Sequence, residues 1–453
     1  MGAKNDCLRY GCYGGKRLKT VEPKQNYEDK VVNETDLLDR PMHRIWLLDQ
    51  ARNLLDFFLP SSINPKGGFF SLNQYGVPVN SFNPAGQERK LHSTTRMVHC
   101  AVIAHQLGLP GADDVIDHGM DFIWSRHRDQ DKGGYFWAVD DIGTVNPLKQ
   151  AYGHAFVLLA AASAKVAGHP GADQLLEDVT GVLLCKFWEP EFGATSEEYQ
   201  ADWTPFSAYR GQNSNMHLTE SLMAAFEATG ENKYLDMAVS IAGLIINQHA
   251  RAEGWRVAEH FDDRWLIDRH YIGDPMFRPS GITPGHALEW ARLLVQLWEL
   301  GGRASTWMLE AAQSLFLTAC ETGWDVEKGG FYYTLDWDNQ PNQSDRFWWP
   351  CCEGIAAASV LHKVSDNPQF EQWYRRILGF TSRYLIDRKN GGWFAELDSA
   401  LLPIENVFEG KPDLYHSLQA CLIPMLPSNG SVTQHLTSTR YCDLLSSDAK
   451  GLF

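Results

Sequence analysis

Histidines recur in this 453-residue chain at one position of a long repeat. Four of them, with one arginine and one glutamate, follow each other at intervals of roughly 60 to 70 residues. The six residues are Arg96, His154, His217, His286, Glu353 and His416. A neutral imidazole takes up and releases protons near neutral pH, and a helix N-terminus disfavours its charged form. Histidines that meet in one cavity would therefore suit general acid–base catalysis.

Metal binding is the main alternative for clustered histidines, and the local spacing does not favour it. The chain has no HxH or HExxH motif, and no two of these four histidines are separated by four residues. A Gly-rich phosphate loop after a strand and a GxSxG elbow are also absent. We therefore predict no metal and no cofactor. Two alternative functions remain. The first is a glycoside hydrolase, since Glu220, Glu289 and Glu353 could act as paired carboxylates. The second is a sugar-binding barrel without catalytic activity.

A glycine–aromatic element precedes most of these positions. Clear copies are GGFFSLNQYG from Gly67, GGYFWAVDD from Gly133, GGFYYTLDWD from Gly329 and GGWFAELD from Gly391, with weaker ones from Phe192 and Gly254. Each predicts a tight turn and a short strand or hairpin. Helical periodicity fills the intervals and predicts helices over 45–59, 94–108, 113–127, 150–167, 172–188, 215–228, 234–248, 285–300, 307–322, 350–363, 369–386 and 413–425.

Twelve helices in six pairs predict an all-α fold, an (α/α)6 barrel with short β-hairpin elements in the inter-helix loops. The even helices include AFVLLAAASAKV and ESLMAAFEA, the composition of an inner ring buried on nearly all sides. The odd helices carry more charge and would form the outer layer. Parallel inner helices would bring the six repeated side chains to one end of the barrel, where we expect His154 to be one of the substrate-binding residues. We predict a flexible N-terminal extension over 1–40, the barrel over 41–427 and a flexible C-terminal tail over 428–453.

Composition narrows the class of partner. The formal net charge is −16 without a basic run, which argues against nucleic acid. No apolar run approaches the length of a transmembrane helix, and the first residues have no apolar core of a signal peptide. Nine irregularly spaced cysteines, most of them in apolar stretches, predict reduced and buried thiols in a cytoplasmic protein. The enrichment in aromatic residues, 12%, suits a cleft that stacks on sugar rings. We expect a monosaccharide as the partner; a homo-oligomer stays open.

Several stretches around these residues resemble the N-acylglucosamine 2-epimerase superfamily, which holds sugar epimerases and aldose–ketose isomerases on an (α/α)6 barrel. They are TTRMVH, KQAYGHAF, NMHLTESL, TPGHALEWARL, RFWWPCCEG and PDLYHSLQACLIP. The resemblance covers roughly residues 41–427. It is strongest to the metal-independent branch of mannose isomerases and YihS-like sulfoquinovose isomerases.

The resemblance implies that two histidines act on the sugar, and it assigns this role to His286 and His416. It places Arg96, Tyr152, His217, Glu220, Glu289, Trp349, Glu353 and Trp393 at substrate-contacting or supporting positions. We expect His286, oriented by Glu289 one turn further on, to move the proton between C1 and C2 through a cis-enediol. We expect His416 to open the pyranose ring.

One residue that departs from the family's pattern indicates which branch of the family the chain resembles. A sulfosugar isomerase is expected to have a polar residue where GGWFAELD has Ala395. Its absence favours a neutral hexose and the conversion of D-mannose to D-fructose. A sugar 2-epimerase of the N-acylglucosamine or cellobiose type and a sulfoquinovose isomerase stay open as alternatives on the same barrel.

Overall fold

The computed structural model of the protein describes residues 36–79 and 86–446. Most of the predicted extension over 1–40 therefore lies outside the described residues. The twelve predicted helices are all present, each within a few residues of its predicted bounds. They are α1 (Pro41–Ser62), α2 (Leu91–Gln106), α3 (Ala112–Phe122), α4 (Ala151–Val166), α5 (Ala172–Val182), α6 (Gln212–Thr229), α7 (Asn232–Ala242), α8 (Pro284–Leu300), α9 (Thr306–Gly323), α10 (Trp348–Val364), α11 (Gln369–Phe380) and α12 (Leu414–Leu422).

The even helices form a closed inner ring. Each packs against the next even helix, and α12 packs against α2, which closes the circle. Helix α4 is buried without interruption from Ala151 to Ala164, and α8 from Pro284 to Leu297. The outer helices bury only one face, as in α3, where Val115, Ile116, Gly119 and Met120 are buried. The (α/α)6 barrel predicted from the repeat is therefore confirmed.

Four outer helices, α3, α5, α7 and α11, end in a wider π-helical turn. These stretches are Ile123–His127, Leu183–Phe187, Gly243–Ala250 and Thr381–Leu385. The sequence predicts each of these four outer helices as one continuous helix, because the apolar period continues through the π-helical turn. Cys185 lies in the second stretch and is exposed, unlike the buried thiol expected there.

Short antiparallel strands connect the helices at the end where the inner helices begin. They are β1 (Arg89–Lys90), β2 (Ala138–Val139), β3 (Thr144–Asn146), β4 (Lys149–Gln150), β5 (Trp188–Glu189), β6 (Ala194–Thr195), β7 (Glu198–Tyr199), β8 (Arg210–Gly211), β9 (His260–Phe261), β10 (Thr334–Leu335), β11 (Pro341–Gln343), β12 (Arg346–Phe347), β13 (Glu396–Leu397) and β14 (Pro403–Ile404). Several of these strands lead directly into an inner helix. The hydrogen-bond register of these strand pairs therefore sets the residue at which the following inner helix begins.

A buried ion pair anchors the glycine–aromatic turns to the inner helices. In one copy, Gly133 and Gly134 have positive φ angles of 72° and 77°, which a residue with a Cβ rarely adopts. Asp129 starts this turn, and its Oδ2 accepts a hydrogen bond of 2.8 Å from Nζ of Lys149, just before α4. The same arrangement joins Asp325 to Arg346 before α10 and Asp387 to Lys411 before α12.

Residues 428–446 of the expected flexible tail are folded, and the rest of that tail lies outside the described residues. The folded segment contains α13 (Val432–Ser438) and α14 (Tyr441–Leu445). Side chains of the barrel bind its backbone carbonyls: Arg44 donates to the carbonyl of Leu444 over 2.7 Å, and Gln106 to that of Thr433 over 2.7 Å. Because any sequence offers such carbonyls, the composition of the segment gave no signal of this packing. The boundaries of the predicted domains themselves stay a prediction.

Among the residues that the structure describes, no helix combines the length and apolar character needed to cross a bilayer.

Candidate active site

One cavity of about 520 Å³ opens at the N-terminal ends of the inner helices. Seven of the eleven residues expected at the site contribute to its wall: Arg96, Tyr152, His217, His286, Glu289, Trp349 and His416. They come from all six inner helices. Four of them, Arg96, His217, His286 and His416, are positions of the repeat, whereas the other two repeat positions, His154 and Glu353, do not line the cavity. The wall also includes three residues that the sequence analysis missed: His92, Asn213 and Trp348.

His286 is held by a carboxylate, but not by the one expected. Its Nδ1 lies 2.8 and 2.9 Å from the two carboxylate oxygens of Glu259, a buried residue next to β9. The expectation that Glu289 orients this ring is wrong, because the Glu289 side chain turns toward Arg292 and His217 instead. A carboxylate only accepts hydrogen bonds, so Nδ1 carries the proton and Nε2 is left as the basic nitrogen.

His416 has an equivalent partner. Its Nδ1 lies 2.8 Å from Oε1 of Glu353, so this imidazole is also fixed with Nε2 as its basic nitrogen. Burial lowers the pKa of His416, against the opposing effect of Glu353, and thus keeps the ring neutral at neutral pH. Glu353 itself does not reach the cavity wall. It supports His416 from behind and accepts a second hydrogen bond, of 2.8 Å, from Nε of Arg292.

The indole of Trp349 is next to both imidazoles. Its ring centroid is 4.9 Å from that of His286 and 5.9 Å from that of His416. Both bases are therefore adjacent to one flat apolar surface. Aromatic faces of this kind pack against the C–H face of a sugar ring, so one bound hexose would be in reach of both histidines.

Arg292 is the centre of a buried charge cluster beneath the cavity. Its guanidinium contacts Glu220 at 3.1 Å, Glu289 at 3.4 Å and Glu353 at 2.8 Å. Glu220 also accepts a short hydrogen bond from the hydroxyl of Tyr415 and does not itself line the cavity. The sequence signal for Arg292 was its position three residues after Glu289 on the same helix.

Arg96 and Tyr152 form the wall on the side of α2 and α4. Nη2 of Arg96 donates to the Tyr152 hydroxyl over 2.9 Å, and Nη1 to Oδ2 of Asp413 over 3.0 Å. The guanidinium also lies over the rings of Phe156 and Tyr415. This fixed positive charge adds to burial in lowering the pKa of His217 to about 3, so His217 is neutral.

His154 is not at the site, and the expectation that it binds substrate is not supported by its position. It is fully buried, its Nε2 accepts a hydrogen bond from the backbone N–H of Tyr135, and its Nδ1 donates to the carbonyl of Gln150. Tyr152 faces the cavity in its place. Side chains two positions apart in an α-helix differ by about 200° around the helix axis, so Tyr152 and His154 point to opposite faces of α4.

Trp393 is also separate from the main cavity. It lines a smaller hollow of about 150 Å³ whose wall includes Gln74, Ala395 and Glu405. Of the residues that the structure describes, Lys411 is the one that lines both spaces.

Two sets of possible metal ligands lie close together among the described residues. His217, Glu220 and Glu289 form one set, and Glu289, Glu353 and His416 form the other. All three glutamates already contact the guanidinium of Arg292, which supplies the positive charge that a metal ion would bring. We therefore assign no metal ligands here.

An (α/α)6 barrel with two imidazole–carboxylate pairs over one cavity is the arrangement of an acid–base enzyme for a small molecule. The chain belongs to the N-acylglucosamine 2-epimerase family, whose model matches residues 67–420.

Three relatives are similar over most of their length. The D-mannose isomerase of Pseudomonas cannabina pv. alisalensis is 42% identical over 400 residues, which cover 86% of this chain and 94% of that protein. The D-mannose isomerase of Thermobifida fusca is 41% identical over 396 residues, 86% of this chain and 95% of that protein. A crystal structure of a D-mannose isomerase superimposes with a TM-score of 0.78 at 32% identity, covering 84% of this chain and 97% of that one.

Proposed function

We propose that the protein is a metal-independent aldose–ketose isomerase that interconverts D-mannose and D-fructose. The observation that carries this proposal is the pair of carboxylate-bound imidazoles, His286 and His416, next to the same indole of Trp349. Relatives named as D-mannose isomerases support the choice of substrate. Ala395 lines the smaller hollow and not the main cavity, so its identity does not bear on the choice of sugar. A cytoplasmic location stays a prediction from the cysteine usage.

The reaction begins with ring opening. Nε2 of His416 accepts the anomeric hydroxyl proton as the C1–O5 bond breaks, and the imidazolium then gives this proton to the ring oxygen O5, which yields the open-chain aldose and restores the neutral base. Glu353 stabilises the imidazolium that forms, because its carboxylate lies against Nδ1. Burial favours the neutral ring before the reaction, so the base is available in the resting enzyme.

Proton transfer between carbons follows. Nε2 of His286 removes the proton from C2, and the electrons of the C–H bond form the C1–C2 double bond of a cis-enediolate whose negative charge lies on O1. The same imidazolium returns the proton to C1 while the O2 hydroxyl proton passes to O1, and the C2=O bond of the ketose forms. A 2-epimerase would instead return it to the opposite face of C2. Glu259 holds the ring in one tautomer and stabilises its charged form throughout.

Incubation of the enzyme with D-mannose in D₂O tests the proposal. An isomerase forms D-fructose and introduces solvent deuterium at C1, which NMR and mass spectrometry detect. A 2-epimerase forms D-glucose with deuterium at C2. A glycoside hydrolase or a sugar-binding barrel leaves the monosaccharide unchanged and unlabelled, and this result would exclude the isomerase. Separate incubations with N-acetylglucosamine, cellobiose and sulfoquinovose test the remaining alternatives.

A further inference from the structure

Three carboxyl groups share one guanidinium below the cavity. Arg292 contacts Glu220, Glu289 and Glu353, and all four side chains are buried. One positive charge cannot balance three negative charges in a medium of low dielectric constant. Carboxyl groups in this situation retain a proton on one member.

The three carboxyl groups are not equally stabilised as anions. Glu353 accepts hydrogen bonds of 2.8 Å from both Arg292 and His416. Glu220 accepts from Arg292 and from the hydroxyl of Tyr415. Oε1 of Glu289 accepts one long hydrogen bond of 3.4 Å from Nη2 of Arg292 and lies 3.6 Å from Nδ1 of the neutral His217. Its buried Oε2 has no hydrogen-bond partner among the described residues. The proton therefore belongs on Glu289.

The other groups around Glu289 do not reverse this balance. The titratable and charged side chains that face it are Arg96 on α2, His217 and Glu220 on α6, Arg292 on its own helix, Glu353 on α10, and Tyr415 and His416 on α12. His217 is neutral, with a pKa lowered to about 3 by burial. Burial and then Glu353 raise the pKa of Glu289 well above its ordinary value, and Glu220 adds to the effect.

Isomerisation moves a hydroxyl proton as well as a carbon-bound one, since the aldose has a hydroxyl on O2 and the ketose has one on O1. Each imidazole is fixed at Nδ1 by a carboxylate, so each has only Nε2 for proton transfer. Glu289 lines the cavity and follows His286 by one turn of α8, so both groups face the same region.

We propose that Glu289 is a neutral carboxylic acid in the resting enzyme and carries the hydroxyl proton between O2 and O1 of the open-chain sugar. The proposal rests on the isomerase function proposed above. As His286 removes the proton from C2, the Glu289 O–H donates its proton to O1, and the neutral enediol forms. The Glu289 carboxylate then takes the proton of the O2 hydroxyl while His286 returns its proton to C1. The C2=O bond forms, and both side chains recover their initial states.

Infrared spectroscopy tests the protonation state without substrate. The wild-type minus Glu289→Gln difference spectrum should contain the C=O stretching band of a protonated carboxyl group. Glu227→Gln is the matched control. Glu227 is partly buried outside the cavity, and burial raises its pKa to about 7, so at a pH below that value its own band should disappear while the Glu289 band stays. A Glu289→Gln difference spectrum with only carboxylate bands would overturn the proposal.

Kinetics test the transfer step. For Glu289→Gln we expect kcat to fall by ~10²–10⁴-fold, because the amide binds a hydroxyl but cannot relay its proton. KM should change by less than about threefold, since a loss confined to kcat marks a group that acts in the transition state. Glu289→Asp, which retains an acid, should recover at least about tenfold over the Gln variant.

The controls separate this proposal from the isomerase function. Glu310→Gln changes an exposed glutamate on α9 and should leave kcat at the wild-type value. A wild-type enzyme that forms fructose together with a fully active Glu289→Gln variant would exclude Glu289 as the proton carrier and leave the isomerase intact. A wild-type enzyme that does not convert mannose would exclude the isomerase and this transfer with it, and the infrared band would still decide whether Glu289 is neutral. Circular dichroism of each variant ensures that folded proteins are compared.

Discussion

Nδ1 of His286 lies 2.8 Å from Oε1 of Glu259, which precedes it in the chain by 27 residues and lies outside its helix. Glu259 is itself fixed by a hydrogen bond of 2.8 Å from Nε2 of Gln212 on α6. The carboxylate thus connects the catalytic imidazole to a second inner helix. Its position is set by the strand pair β8–β9 at the mouth of the barrel.

The first prediction concerns Glu259. In Glu259→Gln, an amide N–H₂ can face Nδ1 of His286 and favour the wrong tautomer of the ring. We expect kcat to fall by ~10²–10⁴-fold, as when an orienting carboxylate is lost from a histidine base, with little change in KM. Steady-state kinetics with D-mannose measure both constants. Glu231→Gln, at an exposed position, is the control. Unchanged kcat in Glu259→Gln would remove this carboxylate from the mechanism.

The second prediction concerns how kcat/KM falls at acidic pH. Burial lowers the pKa of His416 below its ordinary value of 6.5. The neutral base is therefore present above the lowered pKa and is lost as the pH falls through it. We therefore expect the midpoint of the acid limb of kcat/KM to lie below pH 6.5. Measurement across an acidic pH series gives the inflection, and a decline centred at or above 6.5 contradicts the assignment of His416 as the limiting base.

Chelation provides the third prediction. Arg292 already supplies a positive charge to the three glutamates beneath the cavity, and the enediol route requires only proton transfer. Prolonged treatment with EDTA, followed by desalting, should leave the rate of fructose formation unchanged. Loss of activity that returns on addition of one divalent ion would show that the carboxylates bind a metal after all.

The repeat in the sequence predicts the barrel well because each inner helix must be apolar on nearly all sides. The apolar composition of α4 and α10 distinguishes them from amphipathic outer helices such as α11. Helix spacing alone does not fix rotation about the helix axis. A shift of two residues exchanges Tyr152 for His154 at the cavity, and a period of about 60 residues is too coarse to detect it.

The partners of the two histidines were harder to predict from the sequence. Glu259 is distant from His286 in the chain and Glu353 from His416, and both contacts depend on tertiary packing. A carboxylate three residues away on the same helix is the simplest partner to infer for a histidine, which is why the sequence predicts Glu289 as the partner of His286. Its side chain is instead directed to the charge cluster around Arg292.

A fourth prediction concerns stability. Lys149 is completely buried, and its Nζ pairs with Asp129 over 2.8 Å. Lys149→Met leaves the Asp129 carboxylate without its counter-charge, so we expect the free energy of unfolding to fall by about 3–5 kcal/mol. Urea denaturation measures the change. Lys165→Met removes a pair in which Asp173 is mostly exposed, and should cost about 0–1 kcal/mol. Equal losses in the two variants would show that the buried pair has no special role.

The last prediction concerns the division of labour between the two imidazoles. Since both have carboxylate partners, neither His286→Ala nor His416→Ala should be mild, and each should lose ~10²–10⁴-fold in kcat on cyclic D-mannose. The two variants should differ with an acyclic aldose analogue that cannot close to a pyranose. Ring opening is then unnecessary, so His416→Ala should retain exchange of the C2 proton with D₂O, whereas His286→Ala should show none. NMR follows the loss of the C2 proton signal. Exchange in His286→Ala and none in His416→Ala would reverse the two roles, although the barrel and the enediol chemistry would stand.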